Sequence, residues 1–97
     1  MIFSYRTKKD MKKIINGRLY DTDTAKKLGS YDNEHFTTDF NYHREELFQK
    51  RTGEYFIVNT SYDYTIISPA TEKKAKEWCE EHLTGEEYIS IFGNVEE

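Results

Sequence analysis

The sequence has few of the features that stabilise small secreted proteins or anchor proteins in membranes. Its 97 residues include one cysteine, Cys79, so the chain cannot form an internal disulfide. No apolar run approaches the ~20 residues that a membrane helix requires, and the first residues lack the basic-then-apolar pattern of a secretory signal. We therefore expect a soluble protein of a reducing cytoplasm, with no membrane partner.

Aliphatic residues are also scarce, and aromatic rings take their place. Hydrophobic residues make up 36% of the sequence, whereas 15% of all residues are aromatic and 33% are charged. A chain of this length forms one domain, whose core must come largely from rings. The rings at periodic strand or helix positions are predicted to form that core: Phe48, Phe56, Trp78, Tyr88 and Phe92.

Charge is nearly balanced overall but unevenly distributed. Fourteen Lys and Arg against eighteen Asp and Glu give a net charge of −4 at pH 7. Residues 1–18 contain one acid and six basic residues: Arg6, Lys8, Lys9, Lys12, Lys13 and Arg18. Residues 77–97 contain no Lys or Arg and seven glutamates: Glu77, Glu80, Glu81, Glu86, Glu87, Glu96 and Glu97. The mild net charge therefore hides a basic beginning and an acidic end.

The first part of the sequence predicts a basic extension followed by a hairpin. Residues 1–10 precede the first turn signal and are interpreted as an N-terminal extension, so the single domain comprises residues 11–97. The Asn-Gly pair at 16–17 is the preferred loop of a two-residue hairpin, and it would place Ile14 opposite Leu19. Two strands alone are marginal in water, so this hairpin must pack on another element.

The region after the hairpin predicts a short helix and then a loop. The Asp and Thr side chains at 21–24 are suitable N-caps, and Gly29 is suited to end a helix in the left-handed conformation. We therefore expect a helix at about residues 23–28. Residues 30–41 show no clean period, which favours a loop pinned by scattered rings: Tyr31, Phe36 and Phe40.

The strongest strand signal lies in the middle of the sequence. Residues 45–50 and 54–58 are β-rich runs joined by a short turn that contains glycine, which predicts a hairpin. The run 55–58 is apolar on both faces, so it should be a central strand. Its expected neighbour is the strand at 64–67, which Pro69 should end.

The last part of the sequence predicts two helices. Thr71 is a suitable N-cap for a helix over residues 71–83, whose apolar stripe consists of Ala75, Trp78, Cys79, His82 and Leu83. Gly85 separates it from a second short helix, over 86–93, with a buried side of Tyr88, Ile89 and Phe92. The fold class is therefore α+β: a small antiparallel sheet of three or more strands, built from β-hairpins and packed against C-terminal helices.

No pattern in the sequence indicates catalysis. There is no Gly-x-Ser-x-Gly nucleophile motif and no glycine-rich phosphate loop. Cys79 falls on an apolar helix stripe beside two glutamates, which is typical of an inert structural thiol. Cys79 and His82 are one helical turn apart, so they are a weak alternative as zinc ligands. We expect no enzymatic activity, no metal and no cofactor.

Two hypotheses follow from the uneven charge. In the first, the C-terminal glutamates present negative charge to a basic channel of a partner protein. In the alternative, the chain binds nucleic acid through its basic beginning, with the candidate residues Arg6, Lys8, Lys9, Lys12 and Lys13. The remaining negative charge would repel a polyanion, so nucleic acid is the less favoured partner. In either case the charges also fit plain solvated surfaces.

Three segments resemble one family. The run Met-Lys-Lys-Ile-Ile-Asn-Gly-Arg-Leu-Tyr-Asp-Thr-Asp-Thr-Ala-Lys-Lys-Leu-Gly at 11–29 is similar to the opening of small proteins of phages and mobile genetic elements, some of which are anti-CRISPR proteins. The resemblance continues over 46–56 and returns over 75–93. A tyrosine-bearing turn at 59–64 departs from the family, in which a glycine-rich stretch is common at this place.

The resemblance implies a stoichiometric inhibitor in the cytoplasm of a bacterial host cell. Such a protein binds a CRISPR effector nuclease complex and blocks guide loading, DNA loading or cleavage, which requires no catalytic residue. The expected aromatic anchors of the interface are Tyr31, Tyr62 and Tyr64. The residues expected to steer it towards a positively charged channel are Glu77, Glu80, Glu81, Glu86 and Glu87.

Overall fold

The computed structural model describes residues 11–33 and 40–97, which form six strands and two helices. The strands are β1 (Lys12–Ile15), β2 (Arg18–Asp21), β3 (Lys26–Asp32), β4 (His43–Gln49), β5 (Tyr55–Ser61) and β6 (Thr65–Ala70). The helices are α1 (Glu72–His82) and α2 (Gly85–Phe92). Every strand pairing is antiparallel, so the predicted α+β class is confirmed.

The β1–β2 hairpin forms around the predicted Asn-Gly turn. Asn16 has φ 53° and Gly17 has φ 76°, which is the left-handed pair that a tight two-residue hairpin needs. Ile14 pairs with Leu19 as predicted. Both side chains are exposed, so this face of the hairpin lies in solvent.

The other strands form one sheet in the order β3-β4-β5-β6. The predicted central hairpin corresponds to β4 and β5, and β5 lies inside the sheet between β4 and β6. Because side chains alternate between the faces of a strand, Leu47 and Ile57 lie on one face and Phe48 and Phe56 on the other. We call the first the helix face and the second the hairpin face, after the elements that cover them.

The hairpin face is an aromatic core. Phe48 stacks on Phe56 with ring centroids 5.2 Å apart, and Tyr20 of β2 meets Phe56 edge-on at 5.5 Å. Val58 and Ile67 complete this cluster. Tyr20, at 5% exposure, is the side chain through which the otherwise marginal hairpin packs on the sheet.

The helix face carries the second core. Ala75, Trp78 and Cys79 of α1 pack on Leu47, which confirms the predicted apolar stripe. The Thr71 hydroxyl accepts the Lys74 amide hydrogen at 3.1 Å and caps α1. Among the described residues, neither helix is long and apolar enough to cross a membrane.

The buried side of α2 differs from the prediction at one position. Tyr88 and Phe92 pack against the helix-face core as expected, together with Ile91. Ile89 is 41% exposed instead. Tyr88, Ile91 and Phe92 follow the i, i+3, i+4 spacing of one helix face, and Ile89 lies outside that face.

The predicted helix at 23–28 is wrong. The Asp21 side chain accepts the Asp23 amide hydrogen at 2.9 Å, and the Ala25 amide donates to the Asp21 carbonyl at 3.1 Å. These bonds close a single turn, after which β3 pairs with β4 across a bulge between Lys27 and Gly29. Pairing within the sheet therefore overrides the local capping signal.

Gly29 has a packing role instead of the predicted left-handed cap. It lies within β3 and has no positive φ. A Cβ at this position would lie 3.0 Å from the methyl groups of Leu83 and 3.4 Å from the ring of Trp78. Glycine therefore allows the end of α1 to lie close against the sheet.

Two further predictions about loops and strand ends need correction. Tyr31 lies in β3 and not in a loop, and Phe36 lies outside the described residues. Pro69 does not end its strand, because β6 continues to Ala70. A proline is tolerated there because β6 is an edge strand of the sheet and the missing N–H faces away from β5.

Candidate protein-binding face

A half-buried carboxylate fixes α1 to the sheet. Trp78 Nε1 donates a hydrogen bond to Glu45 Oε1 at 2.7 Å. His43 Nε2 lies 2.7 Å from Glu45 Oε2, and His82 Nε2 lies 4.0 Å from Oε1. Together with Tyr31, these residues form what we call the Glu45 cluster. It joins β3 and β4 to the C-terminal half of α1.

Glu45 is stabilised in its charged form. Burial raises the pKa of this carboxyl, but the hydrogen bonds from His43 and Trp78 and the nearby charges of His43 and His82 outweigh burial and lower it. The net result is a pKa below the ordinary value of 4.5. At neutral pH the anchor is therefore an ionised, charge-assisted acceptor, which makes stronger hydrogen bonds than a neutral group.

Tyr31 is placed by the same cluster. Its ring stacks on that of His82, with centroids 4.3 Å apart and planes 28° apart. The centroids of the His82 and Trp78 rings lie 5.0 Å apart. Tyr31 remains 38% exposed. Tyr31 is thus present at the surface, stacked beside the end of α1.

Three of the five predicted glutamates surround one groove. A groove of about 410 Å³ between α1 and the sheet is lined by Ile57, Lys74, Glu77, Trp78, Glu80 and Glu81. The glutamates are exposed, whereas Ile57 is half-buried and Trp78 buried. We call this feature the acidic groove. Its wall is apolar and its rim carries three glutamates and one lysine; an apolar centre inside a polar rim is the usual arrangement of a protein interface.

The other two predicted glutamates lie at the start of α2. The Thr84 amide donates to Glu87 Oε1 at 2.8 Å, and the Glu87 amide donates to the Thr84 hydroxyl at 3.1 Å. This is a capping box, and Glu86 adds favourable negative charge in the same first turn. Glu87 therefore has a structural role, and neither residue lines the acidic groove.

The predicted tyrosines of the β5–β6 turn lie at one end of the sheet. Tyr62 and Tyr64 are both exposed. The ring of Phe40, at 82% exposure, lies 4.9 Å from that of Tyr62. The sequence predicts that Phe40 pins a loop, but its ring extends an exposed aromatic surface instead. Because Ser61 pairs with His43, this surface lies at the end of the sheet next to Glu45.

The basic residues of the alternative hypothesis are only partly described. Lys12 and Lys13 are exposed on β1. Arg6, Lys8 and Lys9 lie outside the described residues. A second depression, of about 340 Å³, lies between the hairpin and the β4–β5 turn. There Glu54 lies 3.1 Å from Arg18 and 2.8 Å from Lys50, so these cations already have an anionic partner.

The weak zinc alternative gains no support from the geometry. Burial, with a smaller contribution from Glu87, raises the pKa of the Cys79 thiol to about 11, so without a metal this group is a neutral thiol at pH 7. His82 is stacked on Tyr31. Among residues 11–33 and 40–97, no three His, Cys, Asp or Glu side chains converge as a metal site would require.

Comparisons with known proteins give no assignment. No protein-family model matches the sequence, and no curated protein or solved structure matches it either. Function therefore has to be argued from the chemistry of the site.

Proposed function

We propose that this chain is a stoichiometric protein inhibitor that places its acidic groove against a basic, nucleic-acid-binding surface of a nuclease. The observation that carries the proposal is the grouping of Glu77, Glu80 and Glu81 around a groove walled by Ile57 and Trp78. Negative charge steers the inhibitor to a basic channel, and the apolar wall supplies contact area once water is expelled.

The rigidity of α1 supports this role. The groove's Trp78 is fixed by its hydrogen bond to Glu45 and by its packing on Leu47. A surface that is already ordered loses little conformational entropy when it binds. The exposed rings of Phe40, Tyr62 and Tyr64 lie at the end of the sheet where Ser61 pairs with His43, and they offer further anchors.

The resemblance to the family that includes anti-CRISPR proteins makes a CRISPR effector nuclease complex the proposed target. Such a complex binds its nucleic acids in positively charged channels, which is the chemistry that the acidic groove complements. Occupation of such a channel blocks DNA loading or cleavage without any reaction catalysed by the inhibitor.

A pair of charge reversals tests the proposal. Glu77→Lys with Glu81→Lys changes the groove, and Glu96→Lys with Glu97→Lys makes the same change in net charge outside it. Each variant is assayed for protection of a plasmid against several CRISPR types and for co-purification with the effector complex. We expect the groove variant to lose both activities and the control to retain them. Equal behaviour of the two variants would contradict the groove as the binding site.

The second candidate function is nucleic-acid binding by the hairpin, which the exposure of Lys12 and Lys13 on β1 favours. Phosphate contacts make affinity fall steeply as salt rises. Neutralising these two lysines together with Arg6, Lys8 and Lys9 should then abolish DNA binding in a gel-shift assay. Tight binding by that variant would exclude this alternative.

A further inference from the structure

The two edges of the sheet differ in how well they are protected from pairing with another strand. β3 carries a bulge between Lys27 and Gly29 and begins with two exposed lysines. Bulges and lysines are common devices that keep an edge from adding strands. β6 pairs with β5 through six successive residues without a register shift. In the part of the chain that the structure describes, no strand lies beyond β6.

The register shows which backbone groups of β6 face outward. The Ser61 amide donates to the Tyr64 carbonyl at 2.8 Å across the turn. Hydrogen-bonded and non-hydrogen-bonded pairs alternate along an antiparallel ladder, so Ile66 and Ser68 are bonded to β5. Thr65, Ile67 and Pro69 then direct their backbone groups away from β5. Proline fits this pattern, because it has no N–H to donate.

The side chains beside this edge suit a basic partner. Ile66 lies on the helix face, opposite Asn59, and is 49% exposed. The neighbouring strand β5 contributes Ile57 to the acidic groove, whose rim has three glutamates, including Glu77 and Glu81, against one lysine, Lys74. A strand added to β6 would place every second side chain on this face. Lys or Arg there would pack its stem on Ile66 and direct its charge towards the glutamates.

We propose that β6 accepts an extended basic segment of the partner protein as a fifth strand. The backbone of Thr65 and Ile67 exchanges hydrogen bonds with the segment. Lysine or arginine at alternate positions lies on the helix face, and apolar residues between them lie on the hairpin face beside Ile67. Pro69 limits the added strand at its far end. The inference rests on the proposed function for the basic nature of the partner and adds the mode of recognition, strand addition.

Amide hydrogen exchange measured by NMR tests the inference on the unmodified chain. The probe is a short acetylated peptide of alternating lysine and valine, and the control peptide has the same composition with its lysines and valines in separate blocks. We expect the alternating peptide to slow exchange at Thr65 and Ile67 by about tenfold or more, because their amides become hydrogen-bonded. Failure of the alternating peptide to slow exchange, or equal slowing by the block peptide, would overturn strand addition.

A backbone variant separates this inference from the proposed function. Thr65→Pro removes one outward N–H, as Pro69 does naturally, whereas Thr65→Val leaves the backbone intact. In the proline variant alone, we expect that the alternating peptide no longer slows amide exchange at Ile67. The same variant should also inhibit the effector less well than the unmodified chain. If Thr65→Pro inhibits like the unmodified chain while the groove reversal at Glu77 and Glu81 does not, strand addition is wrong and the proposed function stands.

Discussion

The two faces of the same sheet are stabilised by different kinds of interaction. The hairpin face is held by rings, with Phe56 between Phe48 and Tyr20. The helix face combines apolar packing with the charge-assisted anchor between Glu45 and Trp78. Burial of apolar surface is non-directional, whereas a hydrogen bond to a carboxylate fixes the position of its donor. The helix face, which has the polar anchor, also carries the acidic groove. The hydrogen bond between Trp78 and Glu45 therefore fixes the position of α1 on the face where we propose that the partner binds.

The largest effect is expected on the hairpin face. Phe56 is fully buried and contacts both other rings, so Phe56→Ala should lower the free energy of unfolding by about 3–5 kcal/mol. Urea denaturation followed by circular dichroism measures this. Ile14→Ala, at an exposed position of the hairpin, is the control and should stay within about 0.5 kcal/mol. Similar losses in the two variants would contradict an aromatic core on this face.

A smaller effect is expected from the polar anchor of the helix face. Trp78→Phe keeps an aromatic ring but removes the donor to Glu45, and a hydrogen bond to a charged group contributes about 1.5–3 kcal/mol. Urea denaturation should show a loss of this size, to which the buried contacts given up by the smaller ring add. Glu45→Gln tests the same bond from the other side. If the double variant loses as much as the two single losses added together, the two groups are not coupled.

The cap of α2 should contribute less again. Thr84→Ala removes the hydroxyl that accepts the Glu87 amide hydrogen, and loss of such a cap costs about 1 kcal/mol. Thr84→Ser retains the hydroxyl and should behave like the unmodified chain in thermal unfolding. An alanine variant as stable as the serine variant would show that the capping box does not hold α2.

The smallest expected effect is a change in the free energy of unfolding at acid pH, which arises from the Glu45 cluster. The folded-state pKa of Glu45 lies below the ordinary 4.5, so its ionised form stabilises the fold above about pH 4.5. That contribution is lost as the pH falls through the folded-state pKa. The difference in unfolding free energy between the unmodified chain and Glu45→Gln should therefore shrink on acidification below that pH. A difference that stays constant from neutral pH to pH 3 would contradict an ionised anchor.

Elements with strong local signals could be predicted from the sequence. The Asn-Gly turn specifies the first hairpin, and the Thr71 cap and the apolar stripe specify the start and the buried side of α1. The capping residues at 21–24 led to the wrong prediction of a helix at 23–28, because they close only one turn before β3 joins the sheet. That pairing depends on residues about 20 positions away, and local capping rules carry no information about it.

The candidate site was only partly predictable for the same reason. The run of glutamates is visible in the sequence. Which of them line the acidic groove and which lie at the start of α2 depends on how α1 packs. Glu45 was missed, although its spacing of two residues from Leu47 in a predicted strand places it on the same face. Tyr20 was missed as a core residue because its partners, Phe48 and Phe56, lie in strands far along the chain.

The most direct test of the account compares charge reversal on the two faces against one purified CRISPR effector complex. Glu77→Lys with Glu81→Lys makes the helix face more positive. Lys12→Glu with Lys13→Glu changes the net charge by the same amount, with the opposite sign, on the hairpin. Affinities are measured by biolayer interferometry at one salt concentration. We expect a loss of at least about tenfold for the helix-face variant and little change for the hairpin variant. A larger loss for the hairpin variant would contradict this expectation.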